Sequence, residues 1–366
     1  MDCRYNPHLM PPVAVIVGLI LMQTTHNSDL AGEWSRMRSI SPRTYVCSRV
    51  TGAITIDGRI DEDAWKTAPW TRDFLDIEGD AKPAPRFRTR AKMLWDDEYL
   101  YIAAELEEPH VVATLTAKNS VIFHDNDFEI FIDPDGDHHN YYEFEMNALN
   151  TIWELTLPKP YKDGGEPTLG TNLPGLKSAV AIDGTLNDAR DIDRYWTIEV
   201  ALPWRDLATY NPRRATPPAE GDVWRMNFSR VQWVHDVVDE KYVRRKRETN
   251  PEDNWVWSPQ GIVDMHRPER WGCVLFARHG AADNDNPDSA IAQRDALMEI
   301  YHRQRVFQHA HKKYAAELSD LGIVDPAIRL EKTPDGYIAT TIFESRSGRT
   351  YLMHVRQDSK FWWEPN

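Results

Sequence analysis

Residues 125–157, DNDFEIFIDPDGDHHNYYEFEMNALNTIWELTL, alternate apolar and polar side chains with a period of two, which is the pattern of β-strands. Phe128, Ile130 and Ile132 alternate with Asp127, Glu129 and Phe131. After a turn at Asp135-Gly136, Tyr142, Phe144 and Met146 alternate with Tyr141, Glu143, Glu145 and Asn147. Successive side chains on a strand point to opposite faces. The first set of each strand therefore faces a core and the second faces outward. The spacing predicts three successive antiparallel strands whose outer face carries carboxylates, an amide and aromatic rings, open to solvent. Such a face is suited to gripping a polyol.

Similar signals recur along the chain. Residues 54–65 (ITIDGRIDEDAW) read as a strand, a tight Asp-Gly turn and a short helix capped by Asp61. Residues 87–95 and 99–106 read as a hairpin across Asp96-Asp97. Further strands are expected at 177–182, 195–202, 223–233, 255–257 and 271–276. Short strands separated by turn residues, with hardly any long helix, predict a mainly β chain folded as an antiparallel β-sandwich over residues 45–277. Residues 278–288 (RHGAADNDNPD for the most part) read as a linker. Beyond it, residues 289–366 form a small α+β extension. Leu297, Ile300, Tyr301, Phe307, Ala310, Tyr314 and Leu318 make one helical stripe over 289–321, ended by Gly322. Three strand patterns follow at 328–332, 337–344 and 350–356.

At the N-terminus, Arg4 precedes an apolar run at 13–22, the length of a signal h-region and short for a membrane span. Residues 1–27 are expected to be a signal peptide or an uncleaved anchor, and 28–44 a linker. Membrane anchoring is expected only through that segment, and the protein is expected to be exported: periplasmic, at the cell surface or extracellular. The formal charge of −14 disfavours nucleic acid as a partner. The basic run at 241–247 (KYVRRKR) reads as a solvated loop or edge strand. Of three cysteines, Cys3 falls in the leader, while Cys47 and Cys273 read as two buried thiols or as a pair.

The outer face admits two readings. Glu129 and Glu143 either accept hydrogen bonds from sugar hydroxyls or form cross-strand salt bridges to Arg88, Arg90 or Arg230. Asn147 is either a ligand contact or a turn cap. Trp65, Trp95, Trp196 and Trp271 read as core, whereas Trp153, Trp233 and Trp257 are balanced between core and sugar platform. His124, His138 and His139 read as exposed loop residues.

Taken in order, the segments IDGRIDEDAW (56–65), KMLWDDEYLYIAAEL (92–106), NDFEIFIDPDGD (126–137), YYEFEMNALNTIWELTLPKPYKDGG (141–165), RYWTIEVALPW (194–204), WRMNFSRVQW (224–233) and NWVWSPQGIVDMHRPERWGCVLF (254–276) resemble the family-nine carbohydrate-binding modules. These share a β-sandwich architecture with DOMON-type domains, so the resemblance implies a jelly-roll or DOMON-like sandwich. It implies a mono- or oligosaccharide as partner. It matches Glu129 and Asn147 to the family's Glu and Asn, and with the strand reading the candidate site is Phe123, Glu129, Glu143, Glu145, Asn147, Trp153, Asn227, Arg230, Trp257 and His266. The family clamps a sugar between two Trp rings. Phe123 stands near the first, Met265 or His266 near the second, and Glu145 replaces an Arg. Calcium is the candidate cofactor, with Asp133, Asp135 and Asp137 as its ligands, although DPDGD also reads as a hairpin turn. Two other classes remain open. One is a glycoside hydrolase using Glu129 with Glu143 or Glu145, and the other a DOMON-type haem module suggested by Met265-His266 and Met146. A non-catalytic role is the expectation.

Overall fold

The computed structural model describes residues 30–208, 216–249, 251–278, 289–345 and 348–366. The expected leader at 1–27 and nearly all of the expected 278–288 linker lie outside the described residues. Helix α1 spans Leu30–Arg38, where a linker was expected. The strands of the main body follow: β1 (Thr44–Arg49), β2 (Leu75–Asp76), β3 (Thr89–Trp95), β4 (Tyr99–Glu107), β5 (Asp127–Asp133), β6 (Tyr141–Asn147), β7 (Ile152–Leu157), β8 (Thr168–Leu169), β9 (Lys177–Asp183), β10 (Tyr195–Pro203), β11 (Val223–Trp233), β12 (His235–Val238), β13 (Lys241–Arg244), β14 (Glu252–Val256) and β15 (Gly272–Ala277). Short helices α2 (Asp63–Thr67) and α3 (Trp204–Leu207) interrupt them. After the gap come helix α4 (Ile291–His311) and strands β16 (Arg329–Thr333), β17 (Gly336–Glu344), β18 (Thr350–Arg356) and β19 (Phe361–Pro365).

The main strands hydrogen-bond in the order β8-β7-β6-β5-β11-β15-β1-β3-β4-β10-β9, with β14 on β11 and β2 on β14. The sheet curls over a single apolar interior, as in a β-sandwich. That interior takes Met93 and Trp95 from β3, Phe128, Ile130 and Ile132 from β5, Tyr142, Phe144 and Met146 from β6, Ile198 and Val200 from β10, and Trp224, Met226 and Phe228 from β11. The alternation in the sequence thus assigned the inner faces of β5 and β6 correctly. The sheet is mixed rather than purely antiparallel, because β1 runs parallel to both β15 and β3. A strand joined to both neighbours by long connections has no hairpin to impose its direction. Cys47 and Cys273 are both buried and are not joined in a disulfide.

The ITIDGRIDEDAW segment acts as a clasp. Glu199 of β10 accepts hydrogen bonds from the Asp57 and Gly58 amides at 3.0 and 2.9 Å and from Trp65 Nε1 at 2.7 Å. Gly58 is required there: its φ is +89°, and a Cβ would lie 2.5 Å from the Val180 carbonyl carbon.

The C-terminal extension is a four-stranded antiparallel meander, β16-β17-β18-β19, packed against α4 and α1. The expected helix over 289–321 ends at His311, where Lys312 turns left-handed (φ 57°), and Gly322 closes a separate turn at Leu318–Leu321. The fourth strand, β19, was not foreseen. The basic run forms part of the β12–β13 hairpin and its exit: Arg244 lies over the Trp233 ring, Arg245 pairs with Asp236 and Arg247 with Asp253.

The extension docks on the sandwich through polar groups. His138 and His139, expected as exposed loop residues, are buried there. Ring nitrogens of the two lie 2.9 Å from the Ser359 and Asp358 carbonyls. Beside them Lys162 Nζ lies 2.9 Å from Glu269 Oε1, Tyr301 Oη donates to Asp163 Oδ1 at 2.6 Å, and Arg267 pairs with Glu33 at 2.7 Å.

Candidate functional site

The outer faces of β5 and β6 bring Asp127, Glu129, Glu143 and Glu145 together. Register places Glu129 opposite Glu145, and Asp127 opposite Asn147. On the other side of β5, Ser229 of β11 stands opposite Glu129. Strand parity puts these side chains on one surface.

That surface is covered, which overturns the expectation of an open face. Phe131, Tyr141, Trp153 and Leu155 on the same face pack with Ile77, Ile122, Met265 and Trp271 into a second apolar cluster. The acids sit within it, with residue exposures of 0% for Asp127, 5% for Glu129, 4% for Glu143 and 2% for Glu145. Neither of the earlier readings for Glu129 and Glu143 as salt-bridge partners of an Arg holds. Arg88 and Arg90 pair with Glu105 instead, and Arg230 pairs with Glu108. Among the described residues, none of the four acids forms an ion pair with Lys or Arg.

Burial therefore dominates their protonation. It pushes Glu129 up to about 7, with the charge of Glu252 adding to the rise and the nearby Ser229 hydroxyl pulling it back. Asp127, Glu143 and Glu145 are also raised, by burial first and then by the neighbouring acids. Asp127 Oδ1 accepts the Val231 amide at 3.1 Å, while Oδ2 is buried without a hydrogen bond. Glu145 Oε2 accepts the Phe123 amide at 3.0 Å.

At the edge of the covering lies a rim of half-buried aromatic groups. Phe123 sits beside Glu145, its ring centroid 6.4 Å from that of Trp153, and Trp153 stands opposite Glu145 in the ladder. At the other end, His266 Nε2 lies 3.9 Å from Glu143, its Nδ1 meets Tyr141 Oη at 2.9 Å, and its ring stacks edge-on with Tyr161 at 4.4 Å. Burial holds the His266 imidazole down to about 4, so it is neutral at pH 7.

Four expected site residues are engaged elsewhere. Asn147 donates to the Leu115 carbonyl and Asp125, and accepts the Leu149 and Thr151 amides, which bears out the turn-capping reading. The Asn227 amide group bridges both the N–H and the carbonyl of Ser258, holding the covering segment down. Arg230 has the opposite strand parity to Ser229. It points to the other side of β11, between Glu108, Thr89 and Gln232. Trp257 belongs to the sandwich interior. Met146 is likewise interior, so it cannot share a haem with His266. The residues that went unassigned are Asp127, Ser229 and Tyr161. The parity of Asp127 with Glu129 was the available signal; Tyr161 carried none, because it reaches the face from a loop.

The candidate calcium ligands Asp133, Asp135 and Asp137 do present oxygens within 4.8 Å of one another. Asp133 accepts the Gly136 and His138 amides, Asp137 accepts the His139 amide and pairs with Lys360 at 3.1 Å. These bonds build the β5–β6 turn and tie it to the extension. An open groove of about 550 Å³ lies apart from the acid face. It is lined by Lys118, Glu154, Asn172, Leu173, Lys177 and Ser178 among others, and has no aromatic wall.

The chain is 28% identical over 174 residues to the exoglucanase XynX of Acetivibrio thermocellus, covering 47% of this chain and 13% of that one. It is 34% identical over 93 residues to the endo-1,4-beta-xylanase C of Paenibacillus barcinonensis, covering 25% and 8%. It thus spans about an eighth or less of the length of these relatives. Among solved structures, a carbohydrate binding module family 9 from Caldicellulosiruptor kristjanssonii in complex with glucose aligns with a TM-score of 0.41 at 15% identity, covering 66% of this chain and all of that one. Residues 56–216, which contain β5, β6 and their acid-bearing face, match the model of the carbohydrate family 9 binding domain-like family.

Proposed function

We propose that the sandwich binds a saccharide at the aromatic rim above Glu143 and Glu145, without catalysing its turnover. The family match over residues 56–216 is the observation that carries this reading. Phe123 at one end of the acid pair and His266 with Tyr161 at the other supply flat faces for the C–H surface of a pyranose. Carboxyl oxygens beneath them are strong acceptors for hydroxyls once a sugar excludes water. Hydrolysis fits less well. Glycosidases hold their two carboxyl groups about 5–9.5 Å apart around the scissile bond. Here Asp127, Glu129 and Glu145 crowd within 4.8 Å under a covering. Export through residues 1–27 remains part of this proposal. Among the described residues no helix is long and apolar enough to cross a membrane.

Calorimetry of the full chain against xylo- and cello-oligosaccharides tests the reading, these probes being suggested by the names of the relatives. Binding should weaken by about tenfold or more in Phe123→Ala and His266→Ala. Absence of binding to any saccharide on a glycan array would reject the function. Binding that survives both substitutions but is lost in Asn172→Ala would move the site to the open groove.

A further inference from the structure

We infer that Asp127, Glu129 and Glu145 form a buried site for a hard divalent cation of the calcium or manganese type, enclosed by β5, β6 and β11. One carboxylate oxygen from each lies within 4.8 Å of the other two. An ion at the centre of such a triangle is about 2.8 Å or less from each oxygen, and small side-chain rotations bring it to the ~2.3–2.6 Å of a calcium bond. A cluster of acids alone does not make a site. Here two further atoms point to a missing positive charge. Asp127 Oδ2 is fully buried and has no hydrogen-bond donor. Glu143 Oε2, on the same face and adjoining the triad, has none either. The Ser229 hydroxyl, buried opposite Glu129, offers a neutral oxygen on the remaining side.

Ordinary structural acids are compensated, as Glu108 is by Arg230 and Glu269 by Lys162. These three are not: among the described residues none of them pairs with Lys or Arg, and the charges that raise them are other acids. Three carboxylates around a divalent ion leave one net negative charge. The donors are all oxygen, so hard ions are favoured over zinc or copper. Nearly complete burial suits an ion better than a polyol. The inference shares Glu145 with the saccharide reading but does not rest on it, since the ion would lie beneath the rim.

The full chain, stripped with chelator and dialysed, is titrated with Mn²⁺ followed by the loss of its free-ion EPR signal, and with Tb³⁺ followed by Trp-sensitised luminescence. Trp153, directly opposite Glu145, is the expected sensitiser. One equivalent should bind and be lost in Asp127→Asn and in Glu145→Gln. Asp135→Asn, in the distant β5–β6 turn, should leave that equivalent in place. Both neutralising substitutions remove buried charge without changing shape, so folding is preserved and is verified by circular dichroism. Trp153→Phe should lower the sensitised emission while manganese uptake persists. Failure of the wild-type chain to take up either ion overturns the inference, as does an equivalent retained in Asp127→Asn and Glu145→Gln. Loss of saccharide binding with intact manganese uptake would reject only the sugar site.

Discussion

Glu129 and Glu145 stand directly opposite each other in the β5–β6 ladder, each almost fully buried, and neither forms an ion pair with Lys or Arg among the described residues. Like charges in that relation repel, and burial removes the water that would screen them. The face can be neutralised by protons or by a bound cation.

In chelator, Glu129→Gln should therefore stabilise the protein at high pH. The Glu129 carboxyl titrates near 7 when folded, against an ordinary 4.5. The folded chain thus holds a proton that the unfolded chain releases between those values. Its contribution is full below about 4.5 and is lost as pH rises through about 7. The stability difference between variant and wild type should be near zero at pH 4 and reach about 3 kcal/mol in the variant's favour at pH 8. Urea melts at the two pH values check this. Comparison at each pH is needed because His266 and His302, held down to about 4 mainly by burial, act in the opposite sense and lose stability as pH falls from 6.5 towards 4.

Arg230→Ala should cost about 3–5 kcal/mol by leaving Glu108 buried without its cation, its NH2 group lying 3.0 Å from that carboxylate. The same variant should leave saccharide affinity unchanged in the folded fraction. Thermal melts and calorimetry together separate the two effects. An affinity loss without destabilisation would contradict the placement of this side chain on the inner side of β11.

Lys162→Met should loosen the extension from the sandwich. Its ammonium lies 2.9 Å from Glu269 and 3.7 Å from Asp163, with all three side chains at most 4% exposed. Removing the cation strands two acids, at a cost of about 3–5 kcal/mol. Limited proteolysis should then cut within residues 289–366 before the sandwich is attacked.

Glu199→Ala should cost about 3 kcal/mol, because the amides of Asp57 and Gly58 and the Trp65 indole lose their shared acceptor. Denaturant unfolding checks the magnitude. Retention of full stability would mean that the Asp-Gly turn is held by other contacts.

Alternation by itself determined which residues of β5 and β6 face the interior, because the pleat fixes parity without reference to any partner. It also brought Glu129, Glu143 and Glu145 onto one surface, and the ordered segments carry the family resemblance. It also separates Arg230 from Ser229, so the Arg230 expected at the site points to the other side of β11. What only the tertiary structure decided was whether that surface meets water. The answer depends on residues 258–271, Tyr161 and the turn at 122–124 folding over it, contacts far apart in sequence that carry no periodic signature. The same long-range packing placed His138 and His139 under the extension and left Asp127 without a hydrogen-bond donor for one oxygen. Burial and charge compensation are properties of the assembled neighbourhood, and a strand's own sequence specifies only the side from which that neighbourhood comes.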